Sequence, residues 1–248
     1  GRRHLERHAR CMPRTSRSLV ADGCYHVISR GNNRARLFED PCEYDAFLGL
    51  IRQAQQRLRL SLLAACVMPN HVHLVVVQQG ADDISRWMHW LLTTHSHRHH
   101  LGRESSGRVW QGRFKAFPIQ QDGHLLTVMR YVERNPLRAG LVERSEDWRW
   151  GSLAWRGRGR WQELLAPPPT CLPTNWLVWV NSVQTSDELA ALRACVNHQH
   201  PFGSESWTTG ERARWTPHRS ARPRGRPRKM PDGQLPLAAT DAEQQALA

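Results

Sequence analysis

Lysine is nearly absent. Of 35 Lys and Arg residues in 248, only Lys115 and Lys229 are lysines. Tyrosine is scarce too, with Tyr25, Tyr44 and Tyr131 alone. No run of 18 apolar residues occurs, which leaves no membrane-spanning helix legible. None of the six cysteines, Cys11, Cys24, Cys42, Cys66, Cys171 and Cys195, forms a CxxC pair, which argues against a zinc ribbon. Several of them sit in apolar segments and read as ordinary buried thiols. No apolar h-region of a secretory signal is visible, so a soluble intracellular protein is the expectation. The first residue is Gly rather than Met, and the true start stays open.

Arginine is what the chain has instead. The formal charge is +13 and the pI about 10.8. A planar guanidinium fork matches phosphate oxygens, so a polyanion is the natural partner. Codon usage in a GC-rich genome is the competing explanation of the arginine content.

Residues 1–19 are arginine-rich with little apolar periodicity and read as a basic, disordered arm. From Gly23, CYHVISRGNN alternates like a strand and ends in a turn. Residues 40–58 read as a helix, with Asp40 as N-cap, Pro41 at its first position and Phe47, Leu48, Ile51 and Leu58 as the buried stripe. LSLLAACVM and HVHLVVVQ are two strands split by Pro69-Asn70, hence a hairpin. Residues 82–99 form a second helix on Ile84, Trp87, Met88, Leu91 and Leu92. RVWQGRFKAFPIQ returns to strand, and 123–134 is a third helix ending before Asn135-Pro136. Strand, helix, strand, strand, helix, strand, helix suits an α+β, ferredoxin-like antiparallel sheet with packed helices. The globular domain is expected over 20–155. Residues 156–248 read as a Gly/Arg/Pro linker, a short helix from Thr185 with Glu188 completing a capping box, and a basic tail.

His71 and His73 are two residues apart in a strand and project from one face, with Val75 and Val77 continuing their row. Two neutral imidazoles at that spacing can chelate one divalent ion. A hydrogen-bonded pair of core histidines is the other reading. Tyr131 lies among Arg130, Arg134 and Arg138, and Asn135 follows one helical turn later. Asn135 could share the Tyr131 face or cap a helix beginning at Pro136.

Four ordered blocks carry a resemblance: YHVISRGNNR (25–34), MPNHVHLVV (68–76), GRVWQGRFKAFPI (107–119) and RYVERNPLRAGLV (130–142), with WRWGSL (148–153) after them. The chain resembles the IS200-like transposases, single-tyrosine members of the HUH endonucleases, and especially their REP-associated branch. The resemblance implies the HUH endonuclease fold, His71 and His73 as ligands of Mg2+ or Mn2+, Asn135 as third ligand and Tyr131 as nucleophile. It implies cleavage and rejoining of single-stranded or hairpin DNA, such as REP-like repeats, through a 5′-phosphotyrosine, by a monomer or homodimer. THSHRHH (94–100) departs from the family pattern, which has tyrosine and arginine among these histidines. A decayed or domesticated repeat-binding protein and a metal hydrolase are the alternative functions.

Single-stranded DNA favours cationic grooves with aromatic platforms. Arg108, Trp110, Arg113, Phe114 and Lys115 form such an interleaved stretch, though a core strand with a wet arginine face reads the same way. Arg30, Arg130, Arg134 and Arg138 are grouped with these DNA contacts. RPRGRPRK, carrying Arg224, Arg226 and Arg228, resembles an AT-hook able to lie in a narrow minor groove.

Overall fold

A computed structural model describes residues 19–157 and 159–215. Residues 1–18 of the basic arm, and the hook-like tail with Arg224, Arg226 and Arg228, lie outside the described residues.

The elements in chain order are β1 (Cys24–Arg30), α1 (Pro41–Arg57), β2 (Ser61–Met68), β3 (His71–Val77), α2 (Asp83–Arg103), β4 (Lys115–Ile119) and α3 (Gly123–Glu133). Then come α4 (Asn135–Arg138), α5 (Ser152–Trp155), α6 (Trp176–Asn181), α7 (Ser186–His198) and α8 (Glu205–Trp215). The four strands form one antiparallel sheet in the order β2-β3-β1-β4. That is the ferredoxin-like α+β arrangement expected from the order of elements. Helices α1 and α2 pack on each other, and α3 lies across β2, β3 and β4.

Local signals set most boundaries. Asp40 accepts from the backbone N–H groups of Cys42 and Glu43, and Pro41 opens α1. Phe47, Leu48 and Ile51 are fully buried, whereas Leu58 is half-buried at the helix end. Thr185 and Glu188 make the capping box of α7.

Three expectations fail. Helix α2 runs four residues further than the periodicity predicts, to Arg103, and ends on Glu104 in the left-handed region at φ 46°. The fourth strand, β4, is short, running only from Lys115 to Ile119. Residues 108–114 are irregular, held to β1 only by a bridge between Trp110 and Gly31. Gly107 and Gly112 take φ of 107° and 63°, angles that break a strand before Lys115. Thirdly, the segment read as a linker packs on the core. Trp161 and Leu164 are buried, and Ala166 N–H donates to the Leu62 carbonyl on β2. Gly and Pro content marked irregular backbone correctly, but two apolar side chains suffice to anchor it.

His95 sits on α2 inside a cage of Phe38, Phe47 and Trp110, with ring centroids 5.3, 5.1 and 5.2 Å away. Burial, then the neighbouring charges of His99, Arg103 and Arg98, hold its imidazole at about 3. In the unfolded chain the same group titrates near ~6.5. Its contribution to stability is therefore present above that value and lost as pH falls from there towards about 3. We expect His95→Phe to lose less thermal stability between neutral and mildly acidic pH than the parent chain, as measured by melting temperature against pH. Parallel curves would show that His95 does not set the acid slope.

Candidate active site

The antiparallel register decides which side chains meet. Across β1 and β3, His26 stands opposite Val75, Ile28 opposite His73 and Arg30 opposite His71. His26, Arg30, His71 and His73 thus share one face, the face on which α3 lies. The imidazoles of His71 and His73 have centroids 4.9 Å apart. The Tyr131 ring lies 6.1 Å from His73 and 6.2 Å from His26. Phenol and paired imidazoles do meet.

Each histidine is held through one nitrogen. Asn70 Nδ2 donates to the Arg34 carbonyl at 3.1 Å, which orients the amide so that Oδ1 faces His71 Nδ1 at 2.6 Å. An amide oxygen only accepts, so His71 Nδ1 carries the proton and Nε2 keeps its lone pair. His73 Nδ1 pairs with His26 Nε2 at 2.8 Å. With the proton on His73 Nδ1, its Nε2 lone pair is free as well. His26 is fully buried, and its Nδ1 has no partner among the described residues.

All three imidazoles are pushed towards the neutral form. Burial, followed by the charges of Arg30 and Arg138, lowers His71 to about 4. Burial and Arg138 lower His26 to about 3. His73 lies well below the ordinary value, chiefly through burial and then through His71 and His26. At neutral pH the site offers lone pairs with no proton to displace.

Asn135 does not cap. Helix α4 begins at Asn135, its N-cap is Arg134, and no side chain caps it. Only Arg134, at φ −80° and ψ −6°, interrupts the path from α3, so Asn135 stays one turn after Tyr131. Its Oδ1 accepts from Arg138 Nη2 at 2.9 Å, while its buried Nδ2 has no partner among the described residues. Among the described residues no group of three or more His, Cys, Asp or Glu side chains is arranged to hold a metal. Two imidazoles plus a carboxamide oxygen are the donors that could. The Nε2 lone pairs of the two imidazoles fit a divalent ion with open positions left over, and Asn135 Oδ1, which accepts one hydrogen bond from Arg138, keeps a second lone pair for it.

The arginines separate into two kinds. Arg130 is buried and donates to the carbonyls of Trp179, Ser182 and Val183, to Ser182 Oγ and to Glu188. Arg134 donates to the carbonyls of Val180 and Asn181. Both bind the C-terminal turn of α6 to α3, and Arg130 also holds Ser182 and Val183 just after it, because a helix end leaves carbonyls without intrahelical donors. The expectation that they grip DNA gives way to this clamping role. Trp110 is likewise corrected: it is buried against Phe47 and His95 and offers no stacking platform.

Arg108, Arg113 and Lys115 remain exposed. Arg30, Arg113, Lys115 and Gln111 line a cleft of about 320 Å³ that reaches Val196 and Asn197 near the end of α7. Arg30 pairs with His71 across the strands, so this cationic cleft adjoins the histidines. Arg138 faces the site. Its guanidinium carbon lies 4.1 Å from the Tyr131 ring centroid.

Sequence reasoning missed His26. The signal was there, since alternation puts it on the same face as Ile28 and Arg30, but only the β1–β3 register brings it to His73.

Residues 20–135, a little under half of the chain, match the family model described as "Transposase IS200 like". This chain is 25% identical over 118 residues to a protein of Haemophilus influenzae named as a REP-associated tyrosine transposase. That match covers 43% of this chain and 66% of the relative. A solved structure of a REP-associated tyrosine transposase bound to a REP hairpin superposes with a TM-score of 0.50 at 21% identity. It covers 58% of this chain and 84% of that one, and supports the fold. The histidines and Tyr131 lie inside the matched segment, and Asn135 is its last residue.

Proposed function

We propose that this chain is a metal-dependent DNA strand transferase that cuts and rejoins single-stranded or hairpin DNA through a 5′-phosphotyrosine at Tyr131. The observation that carries the reading is the Tyr131 ring 6.1 Å from His73, whose own ring stands 4.9 Å from His71. The family match and the relative's bound REP hairpin support DNA hairpins, REP-like repeats among them, as the substrate class.

His71 Nε2, His73 Nε2 and Asn135 Oδ1 are the atoms proposed to hold Mg2+ or Mn2+, which when bound neutralises charge on the scissile phosphate and polarises it. The chain's own groups do the rest. The Tyr131 Oη–phosphorus bond forms as the phosphorus–O3′ bond breaks. The phenol loses its proton, and the departing 3′ oxygen takes one up. Rejoining reverses these steps, with a 3′ hydroxyl as nucleophile and the phenolate as leaving group, so no ATP is needed. Arg30, Arg113 and Lys115 would guide the strand backbone along the cleft beside His71. One nucleophilic tyrosine per chain allows one covalent strand at a time, so full exchange needs a free 3′ hydroxyl or a second copy.

Incubation with a hairpin oligonucleotide flanked by single strands, then denaturing electrophoresis, tests the reading. A covalent adduct that requires Mg2+ or Mn2+ is expected. Cleaved product without adduct would make the chain a hydrolase, and binding without either would make it a repeat-binding protein.

His26 is proposed to orient His73 for the metal. Groups that hold a ligating imidazole through its other nitrogen typically tune affinity by about 10- to 100-fold. His26→Phe keeps a ring against Phe117, 4.9 Å away, but removes the acceptor. We expect Mn2+ affinity to fall within that range with little change in melting temperature. Unchanged affinity would leave His26 a packing residue only.

A further inference from the structure

Arg138 differs from the other arginines drawn into the protein. Arg130 is paired with Glu188 and Arg156 with Glu133. No ion pair among the described residues includes Arg138. Its partners are neutral: Asn135 Oδ1 at 2.9 Å, Gln184 Oε1 at 3.2 Å and the Tyr131 carbonyl at 3.5 Å. A cation partly withdrawn from water without a counter-charge is unfavourable, and such groups concentrate where a charged ligand binds. The two carboxamides beside it point the same way. Each accepts from the guanidinium through its oxygen, and each keeps a buried NH2, Asn135 Nδ2 and Gln184 Nε2, with no partner among the described residues. The guanidinium itself lies over the Tyr131 ring, 4.1 Å from its centroid, held there by neutral acceptors alone.

We propose that Arg138 is the clamp for the scissile phosphate and that it makes metal binding and DNA binding mutually dependent. This rests on the strand-transfer reading above and adds a residue and a coupling to it. The Arg138 guanidinium stands 4.1 Å from the Tyr131 ring, which is itself 6.1 Å from His73 and 6.2 Å from His26, so its charge lies close to the imidazoles. A divalent ion on those imidazoles meets the same positive field, and Asn135 Oδ1 is shared between the two cations. A phosphodiester between them brings the missing negative charge and turns repulsion into attraction. Each ligand then strengthens the other by the same factor, as linkage requires. During transfer the non-bridging oxygens gain charge, and a planar fork fixed against the tyrosine ring matches two of them.

Mn2+ titration followed by electron paramagnetic resonance tests the coupling, in a Tyr131→Phe background so that nothing turns over. With the flanked hairpin oligonucleotide present, Mn2+ should bind about tenfold more tightly. Adding Arg138→Met should tighten Mn2+ binding in the absence of DNA by a few-fold and cut the DNA effect to below about twofold. With Tyr131 intact, Arg138→Met should slow single-turnover cleavage by about a hundredfold, with partial rescue by added guanidinium ion. Arg138→Lys keeps the charge without the fork. It should retain the coupling and cleave about tenfold more slowly, which keeps the test decisive if the methionine variant folds poorly. Equal coupling with and without Arg138, or cleavage by both variants at the parent rate, overturns the proposal. If the parent chain forms no adduct and binds Mn2+ no better than His71→Ala, the strand-transfer reading itself falls. If the parent does both and the Arg138 variants match it, only the clamp is lost.

Discussion

Tyr131→Phe should abolish the covalent protein–DNA adduct, lowering cleavage by at least about a thousandfold, while hairpin binding stays within a few-fold. The ring is largely buried, packed against His26 and His73 on one side and under the Arg138 guanidinium on another. Phenylalanine keeps every one of those contacts and removes one oxygen. The fold, the imidazole pair and the cationic cleft stay intact, so the effect isolates the nucleophile. Adduct yield and binding affinity measured on the same preparation decide the matter. An undiminished adduct would remove Tyr131 as nucleophile and send the search to Tyr25 or Tyr44.

The second large effect concerns stability. Two residues after Tyr131, Glu133 is buried with its carboxylate fully satisfied. One oxygen accepts from Ser152 Oγ at 2.6 Å and Arg156 Nε at 2.8 Å, the other from Trp176 Nε1 at 2.7 Å. These bonds tie α5 and α6 to the helix that carries the nucleophile. Removing one partner of a buried pair costs about 3–5 kcal/mol, because the remaining charge is left without compensation. We expect Arg156→Ala to fall in that range, which for a chain of this size lowers the melting temperature by roughly 6–20 °C. The double variant Glu133→Leu with Arg156→Met should recover much of the loss, since it leaves no orphaned charge. Urea denaturation of both variants checks this. A cost below about 1 kcal/mol in Arg156→Ala would mean that water reaches the pair.

The linear pattern carried a good deal of the fold. Alternation against helical periodicity ordered the seven elements of the domain, and antiparallel pairing follows from the short Pro69-Asn70 connection. The caps at Asp40 and Thr185 were legible because capping is a contact between near neighbours in the chain. The same holds for His71 and His73 on one face, and for Asn135 one turn beyond Tyr131. Misreadings arose where distant neighbours decide. Trp110 and the exposed Arg113 look alike in an interleaved stretch, yet one fills the core beside His95. Arg130, Arg134 and Arg138 form one periodic row, yet two bind the carbonyls that end α6 and one stands over the tyrosine. Helix α2 outran its pattern to Arg103, whose guanidinium pairs with Glu43 on α1, a contact that no local period shows.

Sequence alone determined which chemical groups the chain owns and which of them must share a face, since strand and helix periods act over a few residues. Tertiary structure alone decided the rest: the register that brings His26 to His73, the packing of α3 that sets a phenol beside both, and the missing counter-charge at Arg138. Those depend on contacts between residues tens of positions apart, where no local period reaches.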